Sequence, residues 1–415
     1  MTDTLSFADV RAHLLARREI ALIDLREEHP FAQAHPLWAA NLPLSRIEPD
    51  ARRRIPRHDT LIVLYGEDDA GADLVPRGAT LFAAMGYTRV HRLEGGLDGW
   101  RAAGGELFRD VNVPSKSFGE LVEHERHTPS LSAEQVKARV DGQANVVVLD
   151  ARRFDEYQTM SIPSATSVPG AELVLRVRAL APDPATQVIV NCAGRTRSII
   201  GTQSLVNAGI PNPVAALRNG TIGWKLAGQV LDQGAGRRAP AALDGAILAQ
   251  AQADARGVAE RAGVEWIALA ALHSLEAPGR TLYRFDVRTP EEYAAGHLPG
   301  FASAPGGQLV QETDHHVPVR GARIVLADDD AVRAPMTASW LAQMGWDVHV
   351  LAPADAAAFS ETGAPGAVHS VGAQRYRRPY EGTDAPAEAM QAYLDWEFGL
   401  VAQLARDGTH HFRVI

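Results

Sequence analysis

The 415-residue chain has one cysteine, Cys192. A single thiol excludes an intramolecular disulfide framework and leaves no second cysteine to resolve a mixed disulfide. It fits a reducing compartment, so a cytoplasmic protein is the expectation. Long apolar runs are also missing. No stretch reaches the roughly 18 residues that a membrane-spanning helix needs, and the opening Met1-Thr2-Asp3-Thr4-Leu5-Ser6-Phe7 lacks the basic-then-apolar pattern of a signal peptide. A membrane is therefore not an expected partner. Basic charge is in deficit, with 41 Lys and Arg against 50 Asp and Glu, which leaves no footprint for nucleic acid. The fifteen histidines include His315-His316 and His410-His411, but no cysteine or spaced set of ligands accompanies either pair. Neither a metal nor a cofactor is expected.

What is there is a 46% hydrophobic composition, enough for several cores at about 100 to 200 residues per domain. Cys192 lies in the stretch Gln187-Val188-Ile189-Val190-Asn191-Cys192-Ala193-Gly194-Arg195-Thr196-Arg197-Ser198. A short run of Val and Ile gives way to small, polar and basic residues, and Ile199, Ile200, Leu205 and Val206 then resume at helical spacing. This order predicts a buried strand, a tight loop and a helix, with Cys192 at the turn. Backbone N–H groups of residues 193 to 198 are then expected to curl around the sulfur, with the positive end of the helix aimed at it and Arg195 and Arg197 adding fixed charges. Each of these favours a thiolate. A lone cysteine is commonly a small buried hydrophobe, but an inert one does not need Gly194, two arginines, Thr196 and Ser198 beside it.

The chain repeats itself. Ala21-Leu22-Ile23-Asp24-Leu25-Arg26, Val147-Val148-Leu149-Asp150-Ala151-Arg152 and Tyr283-Arg284-Phe285-Asp286-Val287-Arg288 each read as an apolar strand ending in Asp-x-Arg, followed by an acidic helix start. The aspartates recur after 126 and 136 residues, the length of a small domain plus a connector. Glu94-Gly95-Gly96-Leu97-Asp98-Gly99-Trp100 and Arg218-Asn219-Gly220-Thr221-Ile222-Gly223-Trp224 echo one another near the ends of the first two copies. Their glycines allow a left-handed turn near the loop, and the Trp packs the last helix. Ser132 with Gln135, and Ser6 with Asp9, have the spacing of a capping box. Strands alternating with helical patterns imply a parallel-rich sheet covered on both faces.

These residues resemble rhodanese-type sulfurtransferases. Cys192 to Arg197 looks like the family's active loop, which runs six residues from Cys to Arg, one fewer than in the related dual-specificity phosphatases and arsenate reductases. Gly296-His297-Leu298-Pro299-Gly300 resembles a rhodanese signature that has decayed to Met160-Ser161-Ile162-Pro163-Ser164 in the middle copy and to Ala34-His35 with Leu42-Pro43 in the first. The resemblance implies three tandem α/β rhodanese-like domains, each a small parallel-rich sheet with helices on both faces, plus a helical C-terminal tail. Expected boundaries are 1–125, 126–232 with Cys192, a helical linker 233–262, 263–365, and the tail 366–415. Residues 108 to 130 are expected to form a polar connector. Gly66 and Asp328 align with Cys192, and both cysteine-less loops are acidic (Glu67-Asp68-Asp69 and Asp329-Asp330), so the outer copies are expected to be non-catalytic.

The implied chemistry is transfer of sulfane sulfur from thiosulfate or a related anion, through a Cys192 persulfide, to a thiol or cyanide. Ala193, Gly194, Arg195, Thr196, Arg197 and Ser198 are the expected substrate-binding residues, with Asp150, Arg152, Gly220 and Trp224 supporting. Asp150 and Arg152 are expected to be a structural pair, and Glu156 to be solvated. The alternatives are a phosphatase or arsenate reductase on the same fold, and a persulfide carrier or scaffold without turnover. The tail helix, capped by Asp384 and carrying Met390, Tyr393, Leu394, Trp396, Phe398, Val401 and Leu404 up to Gly408, must be covered by something. Docking on its own chain, a lid over the loop and a homodimer contact are the options. A partner enzyme of sulfur metabolism is also an expectation.

Overall fold

Val188 and Val190 pack with Leu149, Leu173 and Leu205 on one face of the central strand, while Ile189 packs with Val136, Val148 and Trp224 on the other. Successive side chains of a strand point to opposite faces, so a strand buried on both sides needs an unbroken apolar run. The computed structural model describes residues 3–67, 71–276, 279–364 and 375–415. Asp68, Asp69 and the boundary expected near residue 366 lie outside the described residues.

The sheet around that strand is five-stranded and parallel, in the order Ser130–Leu131, Val214–Leu217, Gln187–Asn191, Val146–Asp150, Thr166–Ser167. Two further sheets repeat the plan. One runs Thr4–Leu5, Val90–Leu93, Ile62–Tyr65, Ala21–Asp24, Ala39–Asn41, and the other Glu265–Ile267, Asp347–Leu351, Arg323–Ala327, Leu282–Asp286, Ala302–Ser303. In register, Asp24 pairs with Tyr65, Asp150 with Asn191 and Asp286 with Ala327. Gly66, Cys192 and Asp328 therefore follow equivalent strand ends, as the alignment of the repeats expects. The capping boxes expected at Ser6 and Ser132 are formed, and Thr289 with Glu292 makes another.

The Asp-x-Arg repeat is structural in all three copies. Arg152 pairs with Asp150 at 2.7 Å and donates to the Met160 carbonyl, and Arg26 and Arg288 do the same with Asp24 and Ala34 and with Asp286 and Gly296. Each arginine thus ties the strand end to the turn eight residues later. Asn191 adds a hydrogen bond from Nδ2 to Asp150 Oδ2 at 2.9 Å, locking the residue before Cys192 to the same corner.

The segment expected as a polar connector is instead a helix, Val113–Arg126, most of it buried. It packs against the helices Thr196–Asn207 and Leu400–Asp407. Composition misreads it because its polar groups are satisfied inside the protein. Lys116 Nζ lies 2.6 Å from Asp110, Ser115 donates to the Gln311 carbonyl, and Glu120 pairs with Arg195. The expected linker carries the helix Gly245–Arg261, capped by Asp244, which packs between the helices Leu173–Leu180 and Arg333–Gln343.

Every residue of Arg333–Gln343 is buried. Arg333 holds Glu172 of the middle repeat at 2.9 Å and also binds Glu292, Asp329 and Asp330. Removing one partner of a buried pair leaves the other charge uncompensated. Arg333→Leu is expected to destabilise the protein by about 3 to 5 kcal/mol, chiefly through the stranded Asp330 carboxylate, since Glu172 keeps Arg176, read as a lowered urea midpoint. A midpoint within error of wild type would show that the cluster contributes nothing to holding the repeats together.

Candidate active site

Cys192 follows the strand end and is 2% exposed. Its thiol donates to the Ser198 hydroxyl at 3.4 Å, and that hydroxyl donates to the Arg195 carbonyl at 2.8 Å. The Ser198 backbone N–H also faces the sulfur. Thr196 opens the following helix, and its buried hydroxyl has no partner among the described residues. Ala193 and Cys192 are held from behind, where the Thr221 N–H donates to the Cys192 carbonyl at 2.9 Å and the Ile222 N–H to the Ala193 carbonyl at 3.0 Å.

That close approach explains the turn at 219–220. Asn219 and Gly220 have φ of 61° and 54°, and a Cβ on Gly220 would lie 2.3 Å from the Cys192 carbonyl oxygen. Asparagine tolerates the left-handed conformation, so it replaces the first glycine at Gly95 of the other copy without losing the turn. Trp224 is fully buried and its indole N–H donates to the Val230 carbonyl at 2.8 Å.

The arginines differ from expectation. Neither is a free charge beside the sulfur. Arg195 is bound by Glu120 at 2.7 and 2.8 Å, by Glu123, and by Asn219 at 3.0 Å, with its guanidinium stacked on the Phe398 ring. Arg197 makes a bidentate pair with Glu156 at 2.7 and 2.8 Å, so Glu156 is paired and only partly exposed rather than freely solvated. Burial would raise the Glu156 carboxyl, but the Arg197, Arg152 and Arg153 charges outweigh it and bring it to about 2. The thiol moves the opposite way from expectation. Burial pushes Cys192 up, Arg197 and the two Ser198 groups pull it down less, and Glu397 adds to the rise. The closed site therefore favours the thiol over the thiolate.

The cause is the tail. It docks on its own chain and covers the loop. Two helices, Ala387–Phe398 and Leu400–Asp407, meet at Gly399, and the second ends at Gly408 with φ 65°. Asp384 is not the cap; Pro386 stands there, and Asp384 binds Arg377. Tyr380, Met390, Tyr393 and Leu394 pack directly on Ala193 and Ile222. Beneath them a cavity of about 20 Å³ is lined by Cys192, Gly194, Arg197, Lys116, Tyr393 and Glu397, among others. Such a space holds about one water-sized atom. Lys116, Glu120, Tyr380, Tyr393 and Glu397 escape a reading of the loop alone, because they come from the interdomain helix and the tail. The aromatic density of the tail was the one available signal.

The cysteine-less loop of the third repeat shows what this turn binds. The Asp328 carboxylate accepts from the N–H groups of Ala331, Val332 and Ala334 at 3.2, 3.1 and 2.8 Å. A ring of backbone amides at a strand end receives an acceptor oxygen, and here the protein's own side chain fills it, with burial and the Asp330 charge pushing the Asp328 carboxyl well up. Among the described residues no group of three or more His, Cys, Asp or Glu side chains converges as metal ligands, and no helix is long and apolar enough to cross a membrane.

Three parallel sheets with this strand order, one of them presenting a cysteine to a loop of amides, define a family, and sequence models agree. The rhodanese-like domain model matches residues 6–103, 132–227 and 271–353, and the chain belongs to that family. Among solved structures, the crystal structure of a thiosulfate sulfurtransferase from Pseudomonas aeruginosa is 52% identical with a TM-score of 0.95, covering 100% of both chains. A thiosulfate sulfurtransferase of Azotobacter vinelandii is 28% identical over 209 residues, 46% of this chain and 76% of that protein.

Because Gly220 sits against the Cys192 carbonyl in a left-handed conformation, Gly220→Ala is expected to cost at least ~1 to 3 kcal/mol in backbone strain and to displace the loop. Thermal unfolding and sulfur uptake by the variant check this. Wild-type values for both would mean that the turn does not position the cysteine.

Proposed function

We propose that the protein is a thiosulfate sulfurtransferase whose Cys192 carries the sulfur as a persulfide. The observation that carries this reading is a cysteine at the strand end with room above it for a single added atom. Family membership and full-length likeness to a thiosulfate sulfurtransferase support it. The Cys192 thiolate attacks the outer sulfur of thiosulfate. The bond from Sγ to that sulfur forms as the sulfur–sulfur bond of the donor breaks, and sulfite leaves with the bonding pair. A perthiolate with one negative charge remains. An external thiolate or cyanide then attacks the sulfane sulfur and Cys192 departs as thiolate, since the chain has no second cysteine to serve as acceptor.

Amides of Ala193 to Ser198 and the hydroxyls of Thr196 and Ser198 stabilise the anions, with Arg197 as the nearer fixed charge. Arg195 is a positioning residue that ties the loop to Glu120 and Glu123. Asp150, Arg152, Gly220 and Trp224 hold the frame. The domains run 1–125, 126–232 and 263–365, and the outer two, without cysteine, support the middle one. The tail helix Ala387–Phe398 lies over this cavity, so donor and acceptor reach Cys192 past the tail. An enclosed persulfide also suits a carrier that delivers sulfur only to one partner protein in a reducing compartment.

Incubation of the full chain with thiosulfate is expected to add one sulfur atom by intact mass, while Cys192→Ser adds none. A reduced wild-type protein that gains no sulfur would overturn the assignment. Release of the loaded sulfur to small thiols over many cycles identifies the enzyme; a single stoichiometric release identifies the carrier.

A further inference from the structure

Glu397 is 1% exposed and lies on the tail, far in sequence from the loop it faces. Its Oε1 accepts from the Tyr393 hydroxyl at 2.8 Å. Its Oε2 is buried with no hydrogen-bond partner among the described residues. That oxygen looks onto the active loop, because a Cβ on Gly194 would lie 3.4 Å from Oε2 and 3.2 Å from the Tyr393 ring. Glu397 and Cys192 line the same cavity of about 20 Å³.

We propose that Glu397 acts as a neutral carboxylic acid whose Oε2–H donates a hydrogen bond to the sulfane sulfur on Cys192, making the tail part of the sulfur-transfer site. This rests on the persulfide reading above. The charged and titratable groups around Glu397 come from three elements. Lys116 and Glu120 face it from the interdomain helix, Cys192, Arg195 and Arg197 from the loop, and Tyr380 and Tyr393 from the tail. All three cations lining the cavity are already committed, Lys116 to Asp110, Arg195 to Glu120 and Glu123, and Arg197 to Glu156. None is left to neutralise a carboxylate at 397. Burial first and the Glu120 charge second push the Glu397 carboxyl up, against Lys116, Tyr393 and Arg195, to about 8. A carboxyl kept neutral by its surroundings is a donor rather than a repelling charge.

Glu397 forms and breaks no covalent bond in this role. Its proton stays on Oε2, shared with the perthiolate while the sulfur–sulfur bond of the donor breaks and sulfite departs. The sign of the pH dependence follows. Below about pH 8 the group is neutral and the anion is held; above it the group ionises, and a second negative charge faces both donor and perthiolate. Uptake needs the Cys192 thiolate and so rises with pH; ionisation of Glu397 opposes that rise, and uptake is expected to level off and then fall on the alkaline side.

The test measures the rate of sulfur loading from thiosulfate, without acceptor, across pH for the full-length wild type, Glu397→Gln and Tyr393→Phe. The glutamine amide can donate but cannot ionise. Glu397→Gln is expected to load several-fold more slowly at neutral pH and to lose the alkaline fall. Tyr393→Phe removes a hydrogen bond that favours the carboxylate, so its fall moves to higher pH; it keeps Glu397 and tests the device independently of how the glutamine variant folds. An alkaline fall that is the same in Glu397→Gln as in wild type, or a wild type without one, overturns this role while leaving the persulfide intact. A wild type that takes up no sulfur at any pH overturns the sulfurtransferase reading itself, and the role of Glu397 with it.

Discussion

The site depends on the ion pair between Arg195 and Glu120. It couples the active loop to the interdomain helix, and it accounts for a strongly basic loop that can be buried. Glu123 and Asn219 complete the shell of Arg195, and Glu156 does for Arg197 what Glu120 does for its neighbour. With both arginines compensated, the tail can lie across the loop without stranding a charge. Closure then has an electrostatic consequence: a thiol removed from water is harder to ionise, and the amides and Arg197 offset that only in part.

The three repeats display one piece of geometry with three fillings. In each, Asp-x-Arg braces the strand end, and the next strand delivers a residue to the same turn. Gly66 leaves it empty of a side chain, Asp328 fills it with a carboxylate bound to three amides, and Cys192 presents sulfur. The third repeat is therefore an internal control for the second. Arg333 stands five residues after Asp328, as Arg197 does after Cys192, and pairs with Glu292 as Arg197 pairs with Glu156. The acidic loop of the third repeat has a further use, since Asp329 and Asp330 bind Arg333, which in turn reaches Glu172 of the middle repeat. This loop without a cysteine is thus the one that makes the interface.

Much of the frame is visible in the order of residues. The alternation of Val188, Ile189 and Val190 between two buried faces, the serine caps, the left-handed turn at Asn219-Gly220 and the recurring Asp-x-Arg are local rules, each set by neighbours within a few positions. The misreadings share a different cause. Residues 113–126, Glu156 and Asp384 are polar, and polar residues are ordinarily solvated; these find partners that are distant in the chain or that local patterns do not specify.

The sequence by itself determined the triplicated α/β plan, the one repeat that bears sulfur and the turn that presents it, because strand alternation, capping and backbone sterics act over short distances. The tertiary structure alone decided that the arginines are neutralised, that the thiol is shut away from water, and that a glutamate some two hundred positions downstream overlooks it. Charge compensation and burial are properties of what comes together in space, and Lys116, Cys192 and Glu397 meet only once the interdomain helix, the loop and the tail have closed on a single cavity.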